Sequence, residues 1–323
     1  MDEKTRECIR NRIGLFRDKR ILVVGDSILD AYEHVKQIGY SLENPTAPKF
    51  EHERTEFFYG GAANVVRNIL ELGGRVSFVT LLGDDENAMH YRDFKHENLK
   101  LIPVVEEGRK TTVKRRTLVD DEEIFRVNRQ EHRELSAYPG SVNLYNAVSK
   151  EINSSDVVLF VDYRHGMLNG NLIHYLKDLA KEHGKRAIAS SQVSQRESNH
   201  QDYAGVYMIC MNMKEAVSVY PDFSASKLDA LASRLESNVC VTLGKDGSII
   251  RINGLDYRAN GINVKEKDTT GAGDCFLAAL ALADFEQNPE AALYLGNIWA
   301  GLSVANVGTQ TPKLEDLIRF VEK

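Results

Sequence analysis

The sequence predicts an α/β fold, a mostly parallel sheet flanked by helices. Three observations carry that reading. Short β-branched runs such as Ile21-Leu22-Val23-Val24 and Val157-Val158-Leu159-Phe160-Val161 are apolar at every residue, as strands buried on both faces are. Segments with helical apolar spacing separate them. Three or four of the strands run into a polar turn bearing Asp, Asn or Gly, the pattern of a ligand crevice along one edge of an open sheet.

Taken in order, residues 3–17 place Cys8, Ile9, Ile13 and Phe16 in a helical stripe among charges, a surface helix. The run from Arg20 is the first buried strand, with Asp26 at its C-terminal end and Asp30 four residues on. Residues 32–58 carry Pro45 and Pro48 and modest alternation, so they read as two or more short strands outside the main sheet. Gly60-Gly61 opens a helix with Val65, Ile69 and Leu72 on one face, stopped by Gly73-Gly74. Asn64, in its first turns, is placed to meet a ligand hydroxyl or simply to start the helix. A strand over 75–82 and a helix over about 86–97 follow. Residues 101–128 return to alternation, with Asp120 to Glu123 as a hairpin loop. Lys114, Arg115, Arg116 and Arg126 concentrate positive charge here, either a solvated strand face or a contact for an anionic substrate group.

The βα alternation then resumes. A helix covers 141–152, and the strand over 156–161 ends at Asp162-Tyr163-Arg164-His165-Gly166. A helix covers 169–183, with strands at 186–189 and 205–211. The latter ends at Asn212, with Glu215 three residues on. After a helix over 225–236 comes a strand with the turn Gly244-Lys245-Asp246-Gly247, paired back through 248–252. A helix pair over about 289–306 and 313–322 ends the chain.

Before that pair stands Asp268-Thr269-Thr270-Gly271-Ala272-Gly273-Asp274, running straight into an Ala- and Leu-rich helix. The glycines let an oxyanion approach the backbone, and the first-turn N–H groups point at it. Asp274 in that turn is either a partner of the helix dipole or a base beside a bound phosphate.

Composition narrows the function. The chain has 323 residues, 42% of them hydrophobic, enough for a large core, and no linker, repeat or low-complexity stretch divides it. A net charge of −6 without a long basic run argues against a nucleic-acid protein. No apolar run reaches membrane-spanning length, and the charged N-terminus lacks the apolar core of a secretory signal. Cys8, Cys210, Cys240 and Cys275 are scattered, with no metal or disulfide spacing. The expectation is a reduced, cytoplasmic enzyme without a membrane or nucleic-acid partner.

Asp26, Gly60 to Asn64, Asn212-x-x-Glu215, Thr242 to Gly247 and Asp268 to Asp274, in that order, resemble the ribokinase-like (PfkB) family of carbohydrate kinases over about residues 20–312. Within it, Ser41-Leu42-Glu43-Asn44-Pro45, Gly60 to Asn68 and Asp162 to Gly166 are most similar to the D-glycero-D-manno-heptose-7-phosphate 1-kinases of lipopolysaccharide precursor synthesis. Bifunctional relatives add a nucleotidyltransferase, so a chain ending at Lys323 is expected to be the kinase unit alone, a single domain over 1–323. Two departures bear on substrate identity. Ser190-Ser191-Gln192 stands where those kinases usually have Asp-Pro-Lys, and His165 stands where they have Lys.

The resemblance implies a ribokinase-like fold with a small β lid from inserts at about 32–58 and 111–128, and a homodimer through that lid. It implies ATP and Mg²⁺ as cofactors, K⁺ in many members, and a sugar or sugar-phosphate substrate. Asp274 matches the catalytic base, and Gly271, Ala272 and Gly273 the anion hole. Asn212 and Glu215 match the motif that organises Mg²⁺ through water. Thr242, Gly244 and Gly247 match the nucleotide turn, and Asn297 and Gly308 match positions lining the adenine. Asp26, Gly60, Gly61 and Asn64 match the sugar site, to which Asp30, Lys114, Arg126 and Asp162 are added. Asp268 and Thr270 match a monovalent-cation site. Rival readings are a kinase for another sugar or nucleoside, and a non-catalytic sugar- or nucleotide-binding relative.

Overall fold

The structure is a computed structural model and describes residues 1–193, 197–283, 285–305 and 308–322. Helix α1 (Glu3–Ile13) opens the chain, capped by Asp2, whose side chain accepts from the Thr5 N–H at 2.8 Å. Strands β1 (Arg20–Tyr40) and β2 (Pro48–Gly61), helix α2 (Ala62–Glu71), and strands β3 (Arg75–Gly83), β4 (Leu99–Glu106), β5 (Val113–Val119) and β6 (Glu122–Arg129) follow. Next come α3 (Val142–Glu151), β7 (Val157–Asp162), α4 (Gly170–Glu182), β8 (Arg186–Ser191), β9 (Met208–Asn212), α5 (Met213–Val219) and α6 (Leu228–Leu235). The last part is β10 (Asn238–Thr242), β11 (Ser248–Ile252), β12 (Leu255–Ala259), α7 (Ala272–Leu282), α8 (Pro289–Val304) and α9 (Leu314–Glu322). Residue 306, the expected end of α8, lies outside the described residues.

The main sheet has the order β12-β11-β10-β9-β8-β7-β1-β3-β4. Pairing is parallel from β10 to β4, and β11 and β12 extend the β10 edge antiparallel. Successive strand residues face opposite sides. Ile21 and Val23 therefore enter one core with α1, α2, α7, α8 and α9, while Leu22 and Val24 enter the other with α3, α4, α5 and α6. Both faces are covered, which is why these strands read as unbroken apolar runs. The architecture is the mostly parallel α/β sheet flanked by helices that the sequence predicts.

A second sheet, β2-β1-β5-β6, projects from the carboxyl edge of the first. Here the structure corrects two expectations. The first strand does not end at Asp26, and 32–58 is not a set of short strands. Instead β1 runs on to Tyr40 and pairs antiparallel along the length of β2. The ladder changes partners without a gap: β7 leaves at Gly25 and β3 at Asp26, while β2 joins at Ser27 and β5 at Leu29. A Cβ on Gly25 would sit 2.4 Å from the Val161 carbonyl oxygen, so this crossing needs glycine.

Smaller corrections follow the same logic. The helix expected over 86–97 is a 3₁₀ segment, Glu86–Asp93. The carboxylate of the preceding Asp85 accepts from the Thr111 N–H at 3.3 Å instead of capping a helix. The β5–β6 turn is only Asp120-Asp121, both at positive φ (49° and 65°), and Glu122 and Glu123 belong to β6. The segment over 225–236 begins as a 3₁₀ turn, Ala225–Lys227, and α6 ends before Glu236, which turns left-handed at φ 50°. Among the described residues, no helix is long and apolar enough to cross a membrane.

Candidate active site

The site lies at the carboxyl edge of the main sheet, under the second sheet and against the N-terminus of α7. Gly271 precedes that helix in the left-handed region at φ 82°. A Cβ there would lie 2.7 Å from Asn64 Nδ2, so conformation and close approach both require glycine. The first bond along the helix, from the Cys275 N–H to the Gly271 carbonyl (3.0 Å), comes after Gly273 and Asp274. Their N–H groups therefore belong to the open end of α7, where the helix dipole favours an anion.

Asp274 is partly exposed to the cleft and held from both sides. Asn64 Nδ2 donates to Oδ2 at 2.9 Å, and the Tyr163 hydroxyl donates to Oδ1 at 2.5 Å. Asn64 is fixed in turn, because Asn68 Nδ2 donates to its carbonyl and Trp299 Nε1 donates to Asn68 Oδ1, both at 2.8 Å. Burial pushes the Asp274 pKa up to about 6, against the pull of the two donors and of Lys114. Lys114 Nζ stands 5.7 Å over the Tyr163 ring, and burial lowers its pKa from the usual lysine value. Among the described residues it forms no ion pair.

The other acids near Asp274 are committed to the scaffold. Asp26 accepts from the N–H groups of Tyr163 (2.9 Å), His165 (3.2 Å) and Met167 (3.3 Å), pinning the turn after β7. Burial and the neighbouring Asp162 push its pKa up to about 7. Asp162 accepts from the Arg164 N–H (2.7 Å), Asn199 Nδ2 (2.8 Å), the Tyr203 hydroxyl (2.9 Å) and the Ser191 hydroxyl (3.2 Å). Asp30 forms a buried ion pair with Arg116 at 2.6 Å. A Cβ on Gly60 would meet Asp30 Oδ2 at 2.1 Å, and Gly61 turns into α2 at φ 61°.

Two hollows meet at Gly273. One, of about 160 Å³, is lined by Thr242, Gly244, Gly247, Ala272, Gly273 and Asn297, among others. Asn297 Nδ2 donates to the Ala259 and Asn260 carbonyls at 3.1 Å, so it holds the wall and not the space. The second hollow is lined by Asp162, Tyr163, Ser190, Gln192, Asn212, Glu215, Thr242 and Asp274. Asn212 and Glu215 form a capping box at the start of α5, with bonds of 3.0 and 2.7 Å. Burial pushes the Glu215 pKa up to about 7.

Asp274, Asn64, Lys114, Asp162, Asn212, Glu215 and the 271–273 turn thus come together. Asp268 lies to one side, accepting from the Thr270 (2.8 Å) and Gly308 (2.9 Å) N–H groups. Gly308 packs on Tyr32, where a Cβ would sit 3.0 Å from the hydroxyl oxygen. Arg126 stands one strand further out than Lys114 and pairs with Glu123 at 2.8 Å. Tyr163 is missing from the site residues that the sequence offers, and Arg116 enters them only as one of the basic cluster. Strand alternation carried the signal for Arg116, since residues two apart share a face and Lys114 was already a candidate.

Comparison with known proteins adds a frame. Residues 18–317 match the family described as pfkB family carbohydrate kinase. The bifunctional protein HldE of Sulfurimonas denitrificans is 29% identical over 313 residues, covering 93% of this chain and 64% of that protein. The bifunctional protein HldE of Trichlorobacter lovleyi is 30% identical over 334 residues, covering 99% and 66%. The chain therefore spans just under two thirds of the length of these relatives. The structure of Arabidopsis thaliana ribokinase complexed with ribose and ATP superposes with a TM-score of 0.73 at 17% identity, covering 94% of this chain and 99% of that one.

Proposed function

The chain belongs to the pfkB family of carbohydrate kinases, and from that premise we propose that it transfers the γ-phosphoryl group of ATP to D-glycero-D-manno-heptose 7-phosphate, giving the 1,7-bisphosphate. The observation that carries the chemistry is the pairing of the Asp274 carboxylate with the open N-terminus of α7 at the junction of the two hollows. Phosphoryl transfer needs in-line positioning and charge stabilisation more than covalent help. Bound ATP would supply the phosphoryl group, and Mg²⁺, held through water by Glu215, would neutralise its phosphates. The Gly273 and Asp274 N–H groups hold the transferring group, and Asp274 takes the proton of the acceptor hydroxyl.

The residues present fit these groups. The hollow beside Gly244 and Gly247 opens onto the N-terminus of α7 at Gly273, and bare glycine backbone lets phosphates close in. Among the described residues no group of three metal-binding side chains exists. Mg²⁺ usually keeps several waters and uses one or two carboxylates, so Glu215 fits it through water. Asp268 and Thr270 would hold a monovalent cation only through oxygens left over from the loop bonds described above.

Two observations favour a phosphorylated acceptor. The HldE relatives are about 30% identical across most of this chain, and the Lys114 ammonium, in no ion pair among the described residues, stands over Tyr163 with its charge acting on Asp274, ready for an anionic group. The strands over 32–58 and 111–128 act as a lid that excludes water. A homodimer through the lid would cover Ile124, Phe125 and Val127, which β6 exposes.

Ser190 and Gln192 favour a second reading, a kinase for a different sugar, because they leave that wall of the cleft neutral. ADP release with ATP and Mg²⁺ against heptose 7-phosphate, fructose 6-phosphate, ribose, fructose and adenosine separates the two. Turnover confined to heptose 7-phosphate supports the first reading. Turnover confined to another acceptor establishes the second.

A further inference from the structure

Tyr163 is the first residue past β7, and its hydroxyl reaches Asp274 Oδ1 at 2.5 Å while Asn64 Nδ2 reaches Oδ2 at 2.9 Å. A carboxylate has about four lone-pair sites. Two are filled here by donors from two different elements, so the carboxylate plane is fixed and the remaining sites are left for the hollow that Asp274 and Tyr163 both line. We propose that Tyr163 is the positioning residue of this base, its hydroxyl holding Asp274 with a lone pair open to the acceptor hydroxyl. The inference rests on Asp274 being the proton acceptor and adds the group that aims it.

The aim is anchored from behind. The Tyr163 N–H donates to buried Asp26, which also ties down His165 and Met167. Asp26 thus fixes the turn, the turn fixes the phenol, and the phenol fixes the carboxylate. Burial, and then Asp274 itself, hold the Tyr163 pKa well above the ordinary phenol value, so the group stays a donor throughout the working range. The Lys114 ammonium over its ring adds a cation–π contact.

This arrangement has a consequence in pH. The groups facing Asp274 are Lys114 from β5, which favours the carboxylate, Asp30 from β1, which opposes it, and the donors Tyr163 and Asn64, which favour it. Cys275 follows on the same helix, and Glu215 from α5 faces Tyr163. Asp26 and Glu215 titrate nearby, so the difference between variants is the quantity to read. Removing the phenol hydroxyl removes a donor to the charged form and raises the Asp274 midpoint. A stronger donor lowers it.

The test labels aspartate side-chain carboxyls with carbon-13 and follows Asp274 by NMR, its signal assigned by its loss in Asp274→Asn. Wild type, Tyr163→Phe and a protein carrying 3-fluorotyrosine at 163 are titrated, and kcat is profiled against pH. The expected result is a midpoint that moves up in Tyr163→Phe and down with fluorotyrosine, with the acid limb of kcat following. At neutral pH, kcat of Tyr163→Phe falls about threefold to tenfold, the worth of one hydrogen bond, and KM for ATP stays put. The titration needs no substrate, and the opposite signs exclude mere damage to the fold. A midpoint unmoved in both proteins, with Asp274→Asn inactive, overturns the proposal alone. A midpoint that moves while Asp274→Asn keeps its rate overturns the base assignment and the proposal with it.

Discussion

At the end of the cleft formed by α7, α8 and the Gly244–Gly247 turn, glycines at 244, 247 and 273 and the open helix end stand against apolar side chains such as Ile262, Val264 and Phe276. At the end under β1, β5 and β7, the surface carries carboxylates held by their neighbours: Arg116 on Asp30, Tyr163 and Asn64 on Asp274, and four donors on Asp162. The first end presents fixed dipoles that suit any polyphosphate. The second presents charges whose positions depend on neighbours far apart in sequence, which is where discrimination between sugars can reside. A neutral Ser190 and Gln192 alter the second end and leave the first untouched.

That contrast can be broken at either end. The largest expected effect on stability is at the acceptor end. Arg116→Ala leaves Asp30 as a buried, uncompensated charge and should cost about 3–5 kcal/mol, read by urea unfolding. A loss below about 1 kcal/mol would mean that the pair is not buried in solution. Next, Lys114→Met should raise KM for a phosphorylated acceptor by about tenfold or more, the worth of a charge-assisted contact, while KM for ATP holds. Arg126→Ala, on the exposed edge strand, serves as the comparison and should leave both constants nearly unchanged. Equal effects from the two would remove Lys114 from the acceptor site.

The smallest effect concerns Glu215, between the two ends. Its folded pKa is raised from 4.5 to about 7, so the native state holds its proton more tightly than the unfolded chain does. The stabilisation is full below about pH 4.5 and is lost as pH rises through about 7. Glu215→Gln should therefore flatten the fall of the melting temperature between those values. A slope identical to wild type would show that Glu215 is not desolvated.

The same contrast explains what was legible. The α7 loop, the α2 start and the Asn212-x-x-Glu215 box are local, because their residues are neighbours in sequence and their geometry follows from glycine and helix-end chemistry. The acceptor end joins residues as far apart as Asn64, Lys114, Tyr163 and Asp274, and no local rule brings these together. The course of β1 past Asp26 was hidden for a related reason. Its outer half is a strand because β2 and β5 flank it, not because of its own pattern. Of the basic cluster, Lys114 and Arg116 turn inward, Arg115 pairs with Glu33 on the other face, and Arg126 sits too far out. Alternation could separate Arg115 from the first two, but only the strand order separates Arg126.

The most direct measurement is ADP release from ATP and Mg²⁺ with heptose 7-phosphate, for the wild type and Asp274→Asn side by side, with melting temperatures for both. The expected result is acceptor-dependent turnover that falls by roughly 10²–10⁴-fold in the variant while the melting temperature stays close to that of wild type. An Asp274→Asn protein that keeps a near wild-type rate would contradict the account at its centre.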